Sequence, residues 1–356
     1  MKSFNTTTAP IISLMCFVTT ALATDHLVPQ QYPTIQAAIN ASSTGDTVQI
    51  SPGTYSGPID TLGKAITVRG TGAPAVVIVS GGASVVRCTS AETNATLIEN
   101  LTITNGSGLV GAGVRLADSS PTIRNCRVIG NTASGGAQCR GGGIQITGGN
   151  PKIEDCLIGG NSVVSNWNGP DGTGFADGAG GGIAITGGSA TIVRTVITGN
   201  LVRSNANGCN AYSQGYGAGI HKTGGGYLLL SQCQVLSNAL EITSSAYCNG
   251  PVCVSDGAGA YLEAPARIES CAISGNSKVG CGSAIGGVRF ANSGIEVYST
   301  RFCGNTPGNT SGSFLDMGGN VVASECLGCT GDIDGNGIVN AVDLAIVLSS
   351  WGPCPN

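Results

Sequence analysis

The stretch "PTIRNCRVIGN" (residues 121–131) returns as "PKIEDCLIGGN" (151–161), "ATIVRTVITGN" (190–200), "LLLSQCQVLSN" (228–238), "ARIESCAISGN" (266–276) and "IEVYSTRFCGN" (295–305). Every copy ends on Asn: Asn131, Asn161, Asn200, Asn238, Asn276 and Asn305. Eight residues earlier stands Ile123, Ile153, Ile192, Leu230, Ile268 or Val297, and three residues earlier Val128, Ile158, Ile197, Val235, Ile273 or Phe302. Five residues earlier come Cys126, Cys156, Thr195, Cys233, Cys271 and Thr300, all small. "ENLTITNG" (99–106) is a looser copy, one residue out of register.

Working outward, most copies are preceded by a short glycine-led segment: "GAGVRL", "GGGIQI", "GGGIAI", "GAGIHK", "GAGAYL" and "GGVRF". Alternation puts Val114, Ile144, Ile183, Ile220, Ala260 and Val288 on one face of a strand. Arg115, Gln145, Ala184, His221, Tyr261 and Arg289 then face the other way, expected to be solvent. Lys222 falls where other copies are apolar, which predicts a local bulge.

A unit of two or three such strands is too short to bury a face alone. Stacking successive coils at about 4.8 Å lets each backbone pair with those above and below, and the apolar columns merge into one core. An Asn column at one corner suits the stack, because amides hydrogen-bond along a ladder and Asn tolerates left-handed turns. A sandwich with Gly-rich turns is the alternative, but it would not need the same Asn in six successive units.

The pattern resembles the right-handed parallel β-helix proteins of the broad pectate-lyase-like group, and its "GGGI…IxGN" cadence is similar to polymorphic outer-membrane-type surface repeats. "VPQQYPTIQAAINASSTGDTVQISPGTYSGPI" (28–59) resembles the opening of such helices, with Ile35, Ala38 and Ile39 on one face of an N-terminal capping helix. The resemblance spans about residues 27–328. It implies an all-β solenoid over 24–328, with polysaccharide lyases and glycoside hydrolases among its relatives.

Composition narrows the function classes. Glycine supplies 58 of 356 residues, charged residues 10% and aromatics 4%. A net charge of -4 without a basic stripe excludes a nucleic-acid partner. Residues 1–23 read as a secretory signal peptide: Lys2, the apolar "APIISLMCFVTTALA" and the Ala21-Leu22-Ala23 cleavage pattern. No second apolar run is long enough to span a membrane, so the expected location is secreted or cell-surface. Of 15 cysteines, 14 would remain after cleavage, an even number that favours disulfides, with Cys248–Cys253 and Cys329–Cys354 as first pairs.

The galacturonase-like signatures of the fold are absent, and only His26 and His221 occur. The weak catalytic candidates are His221, Glu263, Asp177 and Asp256, set against a reading of His221 as a solvated edge residue. More telling are three insertions, "SVVSNWNGPDGTGFADGAG", "LVRSNANGCNAYSQGYGAG" and "ALEITSSAYCNGPVCVSDGAG", predicted to be loops forming a wall beside the outer sheet. They hold Trp167, Phe175, Tyr212, Tyr216 and Tyr247, flat rings suited to stack on sugars, or else to anchor the loops. Asp171 in the same loops joins Asp177 and Asp256 as a possible acid or second cation ligand. With Arg115 and Arg289, the residues Trp167, Tyr212, Tyr216 and Tyr247 make the substrate-binding set.

The end of the chain, "GDIDGNGIVNAVDLAIVLSSWG" (331–352), places Asp332, Asp334, Asn336, Ile338, Asn340 and Asp343 at positions one, three, five, seven, nine and twelve of a cation loop, with Gly337 at six. Hard oxygens at that spacing fit Ca²⁺. With the apolar "AVDLAIVLSSW" after it, the segment 329–356 resembles a type I dockerin repeat, present once where dockerins carry two. The resemblance implies a cohesin-like partner.

The leading expectation is an exported, surface-associated β-helix that binds a polysaccharide or matrix component through its outer sheet and loop wall, attached or capped by a Ca²⁺-binding half-dockerin. The alternatives are a polysaccharide-degrading enzyme, lyase or glycoside hydrolase, and a structural spacer or adhesin.

Overall fold

A computed structural model describes residues 22–168, 174–246, 252–282 and 285–326. The proposed signal peptide, apart from its last two residues, and the whole Ca²⁺ loop lie outside the described residues. Within them the chain winds as a parallel β-helix, and every strand pairing is parallel.

The coil from residue 152 shows the path. Lys152–Glu154 lies in sheet A, Leu157–Gly159 in sheet B, Ser162–Asn168 in sheet D, Phe175–Ala179 in sheet E and Ile183–Gly187 in sheet C. The chain then re-enters sheet A at Ala190–Val193, one strand along, with Ile192 beside Ile153. Among the described residues sheets A, B and C have 11, 10 and 9 strands, while D and E have 6 and 4 and span only the middle of the stack. Early coils visit three sheets alone, as in Thr67–Gly70, Val77–Ser80 and Val86–Cys88.

The apolar columns are buried as their spacing required. Ile123, Ile153, Ile192, Leu230, Ile268 and Val297 line the core from sheet A, and Val114, Ile144, Ile183, Ile220, Ala260 and Val288 from sheet C. A helix, α1 (Ile35–Ala41), is N-capped by the Thr34 side chain, which accepts from the Ala37 N–H. It buries Ile35, Ala38 and Ile39 against the first strands of sheets A and C.

The Asn column is a continuous amide ladder. Asn131 Nδ2 donates to Asn161 Oδ1 (2.9 Å), Asn161 to Asn200 (3.0 Å), Asn200 to Asn238, Asn238 to Asn276 (2.9 Å each) and Asn276 to Asn305 (2.8 Å). Left-handed geometry, however, belongs to the residue before each Asn: Gly130, Gly160, Gly199, Ser237, Gly275 and Gly304 have φ between 53° and 63°. This explains the looser copy. Asn105 (φ 57°) takes the turn position, and Gly106 takes the ladder position, its N–H donating to Asn131 Oδ1 at 2.9 Å.

Two further expectations are corrected. Lys222 makes no bulge: it pairs in register with Ile185 and Leu262 and is buried in the inward column, its Nζ donating to the Gly224 carbonyl at 3.1 Å. The register shift falls instead between Ile146 and Thr147. Cys253 pairs with Cys281 and Cys303 with Cys326, whereas Cys248, Cys329 and Cys354 lie outside the described residues. None of the four column cysteines is bridged. Cys126, Cys156, Cys233 and Cys271 are free, buried thiols donating to the carbonyl two residues back, as the Thr195 and Thr300 hydroxyls do.

The largest correction concerns the insertions. They are not loops but stacked strands, with Ser162–Asn168, Leu201–Gly208 and Ala239–Ala246 pairing in sheet D and their returns in sheet E. A second small core of Ala133, Cys139, Val163, Val202, Leu240 and Ile242 lies between these sheets. Burying that apolar row repays the ordering of segments whose polar residues alone would leave them open.

Candidate functional site

Sheets E and C join at Gly141, Gly180, Gly217 and Gly257, all in the left-handed region. Glycine is required there: a Cβ on Gly217 would lie 2.1 Å from the Ile220 carbonyl oxygen. The outward rows of the two sheets adjoin along this corner of the stack. Register places Arg140, Ala179, Tyr216 and Asp256 in one row on sheet E. Across the corner on sheet C run Arg115, Gln145, Ala184, His221, Tyr261 and Arg289.

Side chains from the two rows touch. The Tyr216 ring stands 5.0 Å from Tyr261 and 6.0 Å from His221, and His221 stacks on Tyr261 at 5.5 Å. On one side of this cluster Asp256 faces Arg289 at 3.4 Å. On the other, Asp177 is ion-paired with Arg140, which also donates to the Asp177 carbonyl at 2.9 Å.

The row of sheet C expected to face solvent is therefore partly covered. Gln145, Ala184 and His221 are buried by the lobe of sheets D and E. His221 is no solvated edge residue. Burial, and secondarily the charge of Arg140, pushes its pKa down to about 3, and its Nδ1 has no hydrogen-bond partner. A histidine held neutral and without a carboxylate orienter is a poor general base. Burial raises the Asp256 carboxyl above its ordinary range, with Arg289 acting against the shift. Burial likewise raises the Tyr216 phenol. Glu263 accepts from the Gly224 N–H at 2.9 Å.

The remaining predicted residues are dispersed. Arg115 lies three ladder steps from His221, beside a recess of about 470 Å³ lined also by Ser84, Leu109, Val110 and Ser134. Tyr212 is on the outward face of sheet E, stacked on Phe175 at 5.6 Å and accepting from Gln214 Nε2 at 2.6 Å. Trp167 is at the tip of the lobe, its ring against Gly174, where a Cβ would fall 2.2 Å from Cδ1. Tyr247, Asp171 and the cation set Asp332, Asp334, Asn336, Ile338, Asn340 and Asp343 lie outside the described residues.

Arg140 was not singled out from sequence, though a signal exists. It immediately precedes the glycines of its copy, as Ala179, Tyr216 and Asp256 do in theirs. Among the described residues no group of three or more His, Cys, Asp and Glu side chains is placed to hold a metal, and no helix is long and apolar enough to cross a membrane.

The family model described as right handed beta helix region matches residues 66–218, in accord with the right-handed crossover expected of parallel strands. No curated protein matches the chain. Among solved structures it is similar to a pectin methylesterase from Aspergillus niger, at 13% identity over 98% of both chains with a TM-score of 0.36. It is also similar to the pectin methylesterase from carrot, at 12% identity over 94% of this chain and 97% of that one, TM-score 0.35. A third is the PL6 alginate lyase AlyGC, at 14% identity over 83% of this chain and 50% of that one, TM-score 0.30. Superpositions at this level assign no activity to the chain.

Proposed function

We propose that the protein is an exported, surface-associated β-helix that binds a polysaccharide along the corner between sheets C and E. The observation that carries this is the pair Tyr216 and Tyr261 at the corner, flanking a neutral His221, with the Arg140/Asp177 and Arg289/Asp256 pairs on either side. Aromatic faces stack on the C–H faces of sugar rings while charged and amide groups beside them take the hydroxyls. Asp177 and Asp256, the acids an enzyme acting at this corner would draw on, are engaged by arginines, which favours binding over turnover.

The terminal segment enters the proposal as an attachment module. Asp332, Asp334, Asn336 and Asp343 supply the hard side-chain oxygens, the Ile338 carbonyl a backbone oxygen, and Asn340 acts through water, a donor set that fits Ca²⁺. The ion would order the following apolar segment for a cohesin-like or other surface partner. In the same proposal α1 caps the N-terminal end of the core.

Binding of the full-length mature chain to an array of neutral and acidic polysaccharides tests the reading, with reducing ends and unsaturated products followed in parallel. Saturable binding without products, weakened in Tyr216→Ala and Tyr261→Ala, is the expected result. Product formation lost on replacing Asp177 or Asp256 would establish an enzyme instead. Absence of both binding and products would leave only a spacer.

A further inference from the structure

The first rung of sheet A carries an arrangement that glycan binding does not use. Asp46, 7% exposed, stands at the head of the strand Thr47–Ile50. Its Oδ2 accepts from the Ser43 N–H at 2.8 Å and lies 2.9 Å from His26 Nε2. Its Oδ1 accepts from the Thr24 backbone N–H at 2.8 Å. Buried carboxylates are as a rule compensated by a cation. Among the described residues no lysine or arginine pairs with Asp46, and its ion-pair partner His26 carries charge only when protonated.

Thr24 is also the residue at which the chain is expected to begin once residues 1–23 are removed. Its position does not depend on what precedes it. The Thr24 carbonyl accepts from the Thr47 N–H at 3.0 Å, and Asp25–Val28 then pairs in register with Thr47–Ile50. On the other side Leu22 is 89% exposed and Ala23 is exposed as well, with a long hydrogen bond of 3.4 Å from Thr24 Oγ1 to the Leu22 carbonyl. Cutting the Ala23–Thr24 bond therefore leaves the Thr24 nitrogen beside Asp46.

Resting on the export reading above, we infer that Asp46 is the receptor for the mature N-terminus, and that processing turns a neutral amide donor into the cation this carboxylate lacks. Hydrolysis adds the hydroxyl of water to the Ala23 carbonyl carbon and its hydrogen to the Thr24 nitrogen. The new Ala23 carboxyl releases a proton and the Thr24 amine takes one up, becoming an α-ammonium. The contact with Asp46 Oδ1 is then an ion pair, and charge-assisted hydrogen bonds are about twice as strong as neutral ones. Processing thus tightens the rung on which α1 packs, and the uncut precursor is the looser form.

Urea unfolding of the full mature chain, Thr24 to Asn356, with a free and with an Nα-acetylated terminus tests the inference at pH 7, below the ordinary α-amino pKa of about 8. Acetylation keeps the Thr24 N–H and removes only the charge. The acetylated chain is expected to have an unfolding constant about fivefold larger, and the difference to vanish in Asp46→Asn. If melting shows Asp46→Asn misfolded, the parent pair decides alone. Equal midpoints for the free and acetylated parent chains, or a difference that persists in a folded Asp46→Asn protein, overturn the ion pair while export stands. Terminal sequencing of the protein made by its own export route completes the test. A first residue past Met1 other than Thr24 overturns the ion pair alone, and retention of residues 1–23 overturns both it and the export reading.

Discussion

Asn161 Nδ2 donates to Asn200 Oδ1 at 3.0 Å, and the Asn161 backbone N–H donates to the same oxygen at 3.0 Å. Asn200 in turn donates to the Ile158 carbonyl and to Asn238 Oδ1. Replacing Asn200 by Leu would remove these four hydrogen bonds at once and strip the buried Asn161 N–H and Ile158 carbonyl of their amide partner. A loss of about 3 kcal/mol or more is expected, since each unsatisfied buried group costs on the order of 1 kcal/mol or above. Urea unfolding of the variant checks it, and a midpoint equal to the parent's would show the ladder to be dispensable.

His221 makes stability depend on pH. Its pKa in the fold, about 3, is below the ordinary 6.5, so between those values the unfolded chain binds the proton that the folded one refuses. Its contribution is complete above pH 6.5 and falls as pH drops toward 3, by at most about 1.4 kcal/mol per unit. Melting temperature followed from pH 7 to pH 4 should fall less steeply in His221→Phe than in the parent.

Lys222 sits in the inward column with Leu116, Ile146, Ile185 and Leu262, and burial lowers its pKa. Lys222→Leu gives up one hydrogen bond to Gly224 but removes the desolvation of an ammonium group. The variant is expected to be more stable by about 1 kcal/mol. A lower denaturation midpoint would mean that the Gly224 contact outweighs desolvation.

The column thiols should be inert in the native protein. Burial pushes Cys126 up to about 12 and raises Cys156 and Cys271 well above the ordinary range, suppressing the reactive thiolate. Iodoacetamide is expected to label Cys126, Cys156 and Cys271 only after denaturation. Cys156→Thr, which copies Thr195, should be tolerated within about 1 kcal/mol.

For the terminal loop, calorimetry of the full chain is expected to show one Ca²⁺ bound, lost in Asp332→Ala and in Asp343→Ala. Uptake that survives both substitutions would assign the ion elsewhere.

The repeat was legible because its causes are local. A residue on every second position of a three-residue strand, a glycine at each corner and an Asn at a fixed step are constraints that one coil imposes on itself. Stacking copies them, so the columns ending at Asn131 and Asn305 were readable before any contact was known. The cysteine count did not say which cysteines bridge, because a buried thiol and a threonine hydroxyl serve the same turn, and residue counts do not distinguish a bridge from a donor.

What the sequence by itself determined was therefore the coil, its inward columns and the Asn ladder. The tertiary structure decided the rest: that the insertions become sheets D and E, that the Tyr216, His221 and Tyr261 rings meet at the corner with sheet C, and that Arg140 and Asp177 pair beside them. Those residues come from four different coils, 121 positions apart at the extremes. Neighbours across a parallel ladder are set by the length of each coil, and the burial of a second small core between D and E fixes how the longer coils fold back. Neither is a property of any one repeat.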